Sequence, residues 1–300
     1  MNNRGIGTLQ NFNEVVKYMN QTNRFILPPR LLTEFFMNRF LILLFFLTSK
    51  LNRISEKKKL IRKLTLLKNS KVNKCSLIFA NGPSAKNIDF KNIHNLQEKG
   101  ILDVFAINHL MLDKYFLKNL NPQFIVLSDT DHKYKKNAKL WSYIHSKSNL
   151  KTVTPLDWHS NAQCKNSCIH FNDQSLEGIV RNIDPRYSRG YPSLTALKAL
   201  AMAIYLGYKK IYIVGFDNSW FLKIKVDERN RIKIQSNHAS ADYHKEKDIT
   251  LSYGNNISNL YLDLYVINNA FKKYFDKKNI INVSKTSLID IYPKKDLPTN

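Results

Sequence analysis

A short apolar stretch, Cys75-Ser76-Leu77-Ile78-Phe79-Ala80, runs straight into the turn Asn81-Gly82-Pro83-Ser84. That pattern suits anion binding. Gly82 allows a tight turn and close approach of a ligand to the backbone. Pro83 fixes φ, and Ser84 is a residue type that caps a following helix. Backbone N–H groups left free at a strand–turn–helix junction attract phosphate. The same four residues also fit an ordinary tight turn, so the reading depends on what else converges there.

Further polar clusters follow apolar runs. They are Ala106-Ile107-Asn108-His109, Ser128-Asp129-Thr130-Asp131, and Arg189-Gly190-Tyr191-Pro192-Ser193-Leu194-Thr195, which leads into an Ala-rich segment; a later run ends in Gly215-Phe216-Asp217. In an open α/β sheet such strand ends and helix starts share the carboxyl edge, where ligands bind. Asp129-Thr130-Asp131 has the spacing of a pair of oxygen ligands for Mg²⁺ or Mn²⁺, although both acids also fit an exposed loop. Arg189 is a candidate phosphate clamp.

The elements that must position these residues alternate. Strands are predicted over 76–80, 103–108, 123–128, 151–156, 168–171, 210–215 and 280–283. Helices are predicted over 193–206, closed by Gly207 as a C-cap, and over 257–275, where apolar residues recur at helical spacing. This alternation predicts an α/β, Rossmann-like, mostly parallel sheet flanked by helices. Residues 219–255 are polar and poorly periodic, as expected of a lid-like insertion. Residues 1–74 read as an N-terminal helical appendage, and 75–300 as the catalytic domain carrying the lid.

Composition sets the outer bounds. The chain has 300 residues, 43% of them hydrophobic and 12% aromatic, which excludes a disordered protein. The net charge is +24, and residues 1–74, with fifteen basic and three acidic side chains, supply half of it. Such charge draws nucleic acid, anionic lipid or phosphorylated substrates. The run 40–47 is strongly apolar but too short to span a bilayer, and a basic segment follows it. A helix in a membrane interface is expected there; the alternative is a helix packed on the core. The first thirty residues carry no apolar core of a cleavable signal. Cys75, Cys164 and Cys168 form no disulfide framework, which suits a reducing compartment. The Cys164/Cys168 spacing, with His159 and His170 nearby, admits a zinc site, but structural zinc sites show tighter pairs.

Four features resemble bacterial sialyltransferases of glycosyltransferase family 42 and the related MptE-like proteins of glycan biosynthesis. They are the strand with Asn81-Gly82-Pro83-Ser84, the downstream Asn108, the Ser/Thr-rich start of an Ala-rich helix, and the stretch from Leu206 to Asp217. Asn237-His238 and the stretch from Ile281 to Ser287 resemble the MptE-like group. The resemblance covers about residues 75–295. It implies that Asn81 and Gly82 hold the nucleotide phosphate and sugar, with Ser84 at the helix start. Asn108 contacts the donor, Ser193 and Thr195 sit near the phosphate, and Asp217 faces the nucleotide or the reacting centre. His238 or His244 is the base on the lid; His244 with Asp248 resembles a sialyltransferase His–Asp pair at a spacing one residue shorter. Ser128-Asp129 stands where the sialyltransferases carry Asn-Pro, and only Tyr243 matches their lid tyrosines.

The expected activity is an inverting, nucleotide-sugar-dependent glycosyltransferase. The first donor guess is a CMP-linked sialic or related acid, and the acceptor a bacterial surface glycan such as lipopolysaccharide or capsule, or its lipid-linked form. The resemblance implies that no metal cofactor is required. The expected location is cytoplasmic, peripheral on the inner face of the cytoplasmic membrane. Rival readings are an MptE-like ATP-dependent pyrophosphokinase, weakened by the lack of a P-loop pattern, a basic nucleic-acid-binding protein, and a non-catalytic membrane scaffold. The sequence leaves the oligomeric state open.

Overall fold

The computed structural model describes residue 40 and residues 62–133, 138–161, 163–164, 168–178, 180–229, 231–235, 248–250 and 257–299. Seven strands form one parallel sheet: β1 (Cys75–Phe79), β2 (Leu102–Ile107), β3 (Phe124–Val126), β4 (Lys151–Pro155), β5 (Ile169–Phe171), β6 (Lys210–Val214) and β10 (Ile280–Asn282). Their order is β10-β6-β1-β2-β3-β4-β5. The chain therefore builds outward from β1 to β5, then crosses back to lay β6 and β10 on the other side of β1. The reversal between β1 and β6 is the topological switch point, where open α/β sheets leave a crevice at the carboxyl ends.

The α/β Rossmann-like prediction holds, and each of the seven predicted strands lies within a few residues of an observed one. Four of the five residues of β1 and all six of β2 are buried, as expected of parallel strands covered on both faces. Alternation sorts them between two cores. Ile78, Ala80, Phe105 and Ile107 pack with the helix α4 (Thr195–Leu206) on one face. Leu77, Phe79, Val104 and Ala106 pack on the other with α1 (Phe90–Glu98), α2 (Lys114–Asn119) and α3 (Ala138–Ser146). Burying each such aliphatic or aromatic side chain is worth about 1.5–3 kcal/mol. The Phe105 and Phe124 rings stack with centroids 4.4 Å apart, joining β2 to β3.

α4 ends at Gly207, as predicted, and α5 (Ile257–Tyr274) matches the predicted 257–275 helix to one residue. Helical residues 62–67 end the basic segment, and the chain then runs along the end of α4. There the Asn69 and Lys71 N–H groups donate to the Tyr205 and Leu206 carbonyls at 3.1 and 2.9 Å. The predicted lid contains a feature that sequence reading missed, an antiparallel sheet of β7 (Ile224–Val226), β8 (Ile232–Gln235) and β9 (Asp248–Thr250). Among the described residues no helix is long and apolar enough to cross a membrane. The apolar run 40–47, apart from Phe40, lies outside the described residues.

At the sheet's far edge, Thr154 Oγ1 of β4 lies 2.9 Å from His170 Nδ1 of β5. Burial, above all, holds the His170 pKa below its ordinary value of 6.5. The unfolded chain therefore binds a proton that the folded chain refuses. The resulting stability is complete above pH 6.5 and is lost as pH falls toward the folded value. The unfolding midpoint should rise between pH 5 and pH 7.5, and the rise should be shallower in His170→Gln; equal slopes in the two proteins would contradict this.

Candidate functional site

The turn after β1 meets the turn after β6. Gly215, at the end of β6, has φ +72°, a conformation natural to glycine. The Gly82 N–H donates to the Gly215 carbonyl at 2.9 Å. A Cβ on Gly82 would lie 2.4 Å from that carbonyl oxygen and 2.5 Å from Asp217 Oδ2, so only glycine fits. Asp217 is 3% exposed. Its Oδ2 accepts the Ser84 N–H at 2.8 Å and its Oδ1 accepts the Ser84 hydroxyl at 2.5 Å. Ser84 Oγ lies 2.7 Å from Ser284 Oγ, beyond β10. The Gly215 N–H reaches Ser84 Oγ at 3.3 Å and Ser284 Oγ at 3.1 Å. One polar knot thus ties the ends of β1, β6 and β10.

Two expectations change here. The segment after the turn, Pro83–Asn87, is a short 3-10 helix capped by Gly82 with no side-chain cap bond. Ser84 lies inside it because its hydroxyl is drawn to Asp217. The backbone donors expected to be free for phosphate are also engaged: Gly82 with the β6 turn and Ser84 with a carboxylate. The turn does bind an anion, and that anion is the protein's own Asp217.

A second cluster lies beside the knot. Asn108 adopts φ +46°, which Asn tolerates better than most residues. Its Nδ2 donates to Thr195 Oγ1 at 3.0 Å, and its Oδ1 accepts the Ser128 N–H at 3.3 Å. The Ser128 and Thr195 hydroxyls lie 2.7 Å apart. Three predicted binding residues, from the ends of β2 and β3 and the first turn of α4, are therefore in mutual contact and half-buried. α4 has no side-chain cap at Leu194, and Ser193 beside it is exposed. Its N-terminal N–H groups and the positive end of its dipole suit an anion. Asn81 is half-buried, and its Oδ1 is sheltered from solvent without a hydrogen-bond partner. A buried acceptor left without a donor is costly; a donor group on a ligand would satisfy it.

Arg189 is buried and turned toward carboxylates. Its Nε donates to Asp173 at 2.9 Å, Nη1 donates to the Tyr191 carbonyl, and Glu177 lies 3.7 Å away. Lys198 of α4 shares Asp173 at 2.6 Å. Burial, opposed by Asp173, lowers the Lys198 pKa. Asp173 and Lys198 were missed in the sequence, and Ser284 stood there only within the stretch from Ile281 to Ser287, with no role assigned. Asp173 and Ser284 each follow a strand by two residues, and Asp217 follows β6 by three, so all three share the signal of a polar residue just past an apolar strand.

Asp129 is exposed at the head of a 3-10 turn, Thr130–His132, while the side chain of Asp131 is not described. Cys164 and Cys168 are buried, and a hydrogen bond from Cys168, opposed by burial, lowers the Cys164 pKa. His159 Nδ1 lies 2.9 Å from the Leu156 carbonyl oxygen. His238, His244 and Tyr243 lie outside the described residues.

No protein-family model matches the chain, and no curated protein matches it. The solved structures to which the chain is similar include glycosyltransferases. The MAf glycosyltransferase of Magnetospirillum magneticum is 12% identical, with a TM-score of 0.45 over 80% of this chain; the chain spans only 38% of that protein. The sialyltransferase CstII of Campylobacter jejuni, solved with the substrate analogue cytidine-5'-monophosphate, is 18% identical, with a TM-score of 0.39 over 75% of this chain and 85% of its own. CST-II with a trisaccharide acceptor and CMP is 18% identical, with a TM-score of 0.38 over 76% and 88% of the two chains. These are likenesses of fold at low identity, and the reading of the site rests on its own residues.

Removing the Asp217 carboxylate leaves the buried Ser84 N–H unmatched and leaves the Ser84 hydroxyl only Ser284 Oγ as acceptor. Asp217→Ala should cost roughly 2–4 kcal/mol, read as a lower denaturant midpoint. A wild-type midpoint would contradict the knot.

Proposed function

We propose that the chain is an inverting glycosyltransferase whose nucleotide-sugar donor lies along the carboxyl edge of β1–β3. The observation that carries this is the Asn108–Ser128–Thr195 cluster at the start of α4. Together with the sheltered Asn81 Oδ1, it offers hydroxyl and amide groups beside helix N–H donors. In this reading Asn81 and Asn108 contact the nucleotide and sugar. Ser128, Ser193 and Thr195 line the phosphate, and the Asp217–Ser84 knot fixes the Gly82 turn beside it. The sequence resemblance supports a CMP-linked sialic or related acid as donor and a surface glycan as acceptor. It also supports chemistry without a required metal, while the apolar and basic appendage supports a place at the inner face of the cytoplasmic membrane.

The reaction is a displacement. A neutral imidazole, His238 or His244, takes the acceptor hydroxyl proton. The hydroxyl oxygen bonds to the anomeric carbon as the bond from that carbon to the phosphate oxygen breaks. The nucleotide leaves with the electron pair on its phosphate, where helix N–H groups and hydroxyls stabilise the charge.

A nucleotide that binds only the folded state raises its unfolding midpoint. CMP should do so with or without Mg²⁺, and Asn108→Ala should weaken that binding by about 10- to 100-fold, since one lost polar contact leaves its partners unmatched. A shift with UDP or GDP alone would change the donor. ATP acting only with Mg²⁺ would favour a pyrophosphokinase, and no shift with any nucleotide would overturn the reading. Replacing the catalytic histidine, His238 or His244, by Ala should lower turnover by about 10²- to 10⁴-fold with donor affinity kept; full turnover in both variants would remove the base.

A further inference from the structure

The opposite edge of the sheet has a different surface. Lys210, Cys75 and Leu102 are level across β6, β1 and β2, and Ile280 pairs one residue further along, with Ile211. The residues just before these points form the amino-terminal edge. Lys277 and Lys278 lead into β10, Lys209 and Lys210 into β6, and Lys99 into β2; all five are exposed. None of the five forms an ion pair with a carboxylate among the described residues. The acids nearby do not cancel them. Asp103 is buried and already matched by Lys71 at 2.8 Å and Lys74 at 3.3 Å, which leaves Glu98 and Asp276 exposed beside the lysines.

Apolar side chains protrude between the lysines. Val72 is 51% and Ile101 40% exposed. They flank the start of β1: Ile101 accepts the Cys75 N–H at 2.9 Å, and the Val72 side chain lies beside Gly207. Lysines around protruding aliphatic residues fit a lipid interface, where apolar tips enter the headgroup region and cations meet anionic lipid. A purely electrostatic partner such as nucleic acid gives Val72 and Ile101 no role. The edge is also continuous with residues 62–74, through which the apolar and basic appendage joins the sheet.

We propose that this amino-terminal edge is a docking surface for an anionic lipid bilayer, with Val72 and Ile101 at its centre and the lysines around them. This is independent of the reaction at the carboxyl edge and adds to any contact the appendage makes. β1 has five residues, so the site edge stands about 17 Å from the docked edge and opens away from the lipid. An acceptor anchored in the same bilayer must then be a chain long enough to reach over the protein.

The test is co-sedimentation of the full chain with phosphatidylcholine vesicles, with and without a third of phosphatidylglycerol. Binding should need the anionic lipid and fall with salt. Each lysine near such a surface is worth on the order of fivefold in binding. Lys209→Glu/Lys210→Glu/Lys277→Glu/Lys278→Glu should therefore weaken binding by about 100-fold or more with an unchanged unfolding midpoint and unchanged CMP binding. If that reversal lowers the midpoint, the four Lys→Gln changes should show the same direction of loss, and Val72→Ser/Ile101→Ser should weaken binding without altering charge. Wild-type vesicle binding in these variants would overturn the proposal. So would loss of binding on reversing only Lys57, Lys58 and Lys59 of the appendage while the edge variants bind normally, or tighter binding to duplex DNA than to anionic vesicles.

Discussion

A carboxylate taken out of water must be met by donors, or it destabilises the fold that buries it. Asp217 is met by the N–H and hydroxyl of Ser84, a residue from a different strand end, and that pairing brings the β1 and β6 turns together. The rest of the switch point follows from it. Gly82 must be glycine because the Gly215 carbonyl and the Asp217 carboxylate occupy the space of a side chain. Gly215 turns through positive φ to leave its N–H for the two serine hydroxyls. The segment after β10 is drawn to the same place: Ser287 donates to the Phe216 carbonyl at 2.7 Å and the Leu288 N–H to the Asp217 carbonyl at 3.0 Å.

This knot decides where a ligand can bind. An anion already fills the nest of the first turn, so an incoming phosphate meets its donors one step along the edge, at the start of α4. There the polar groups are half-buried and linked to one another more weakly than in the knot, by neutral contacts that a ligand can join or replace at modest cost. On the far side of α4, Lys198 and Arg189 close on Asp173, so these two cations fix the helix to the loop after β5. The site is a soft polar ledge between two rigid charged anchors.

The sheet was legible because its strands are uninterrupted apolar runs, and burial on both faces requires such runs. The carboxyl-edge clusters were legible because a polar residue directly after an apolar strand has few other reasons to stand there. The pairings were not legible. Ser84 and Asp217 are 133 positions apart, and no local pattern says that the turn's anion is internal. Arg189 read as a phosphate clamp from its place before α4, but its carboxylate partners Asp173 and Glu177 lie in another loop. The small sheet was hidden for a different reason. Ile224-Lys225-Val226 and Ile232-Lys233-Ile234 alternate as strands do, yet each run is too short to stand out among charged residues. His238 and His244 carry the proposed proton transfer on sequence resemblance alone.

The claim on which the account turns is that Asp217 holds the first turn's anion position while the donor phosphate sits at the start of α4. A crystal structure of the chain with CMP tests it directly. The account predicts the phosphate within hydrogen-bond distance of Thr195 and the first N–H groups of α4, with the Asp217–Ser84 contacts intact. A phosphate seated on Gly82 and Ser84, with the Asp217 carboxylate displaced, would contradict it.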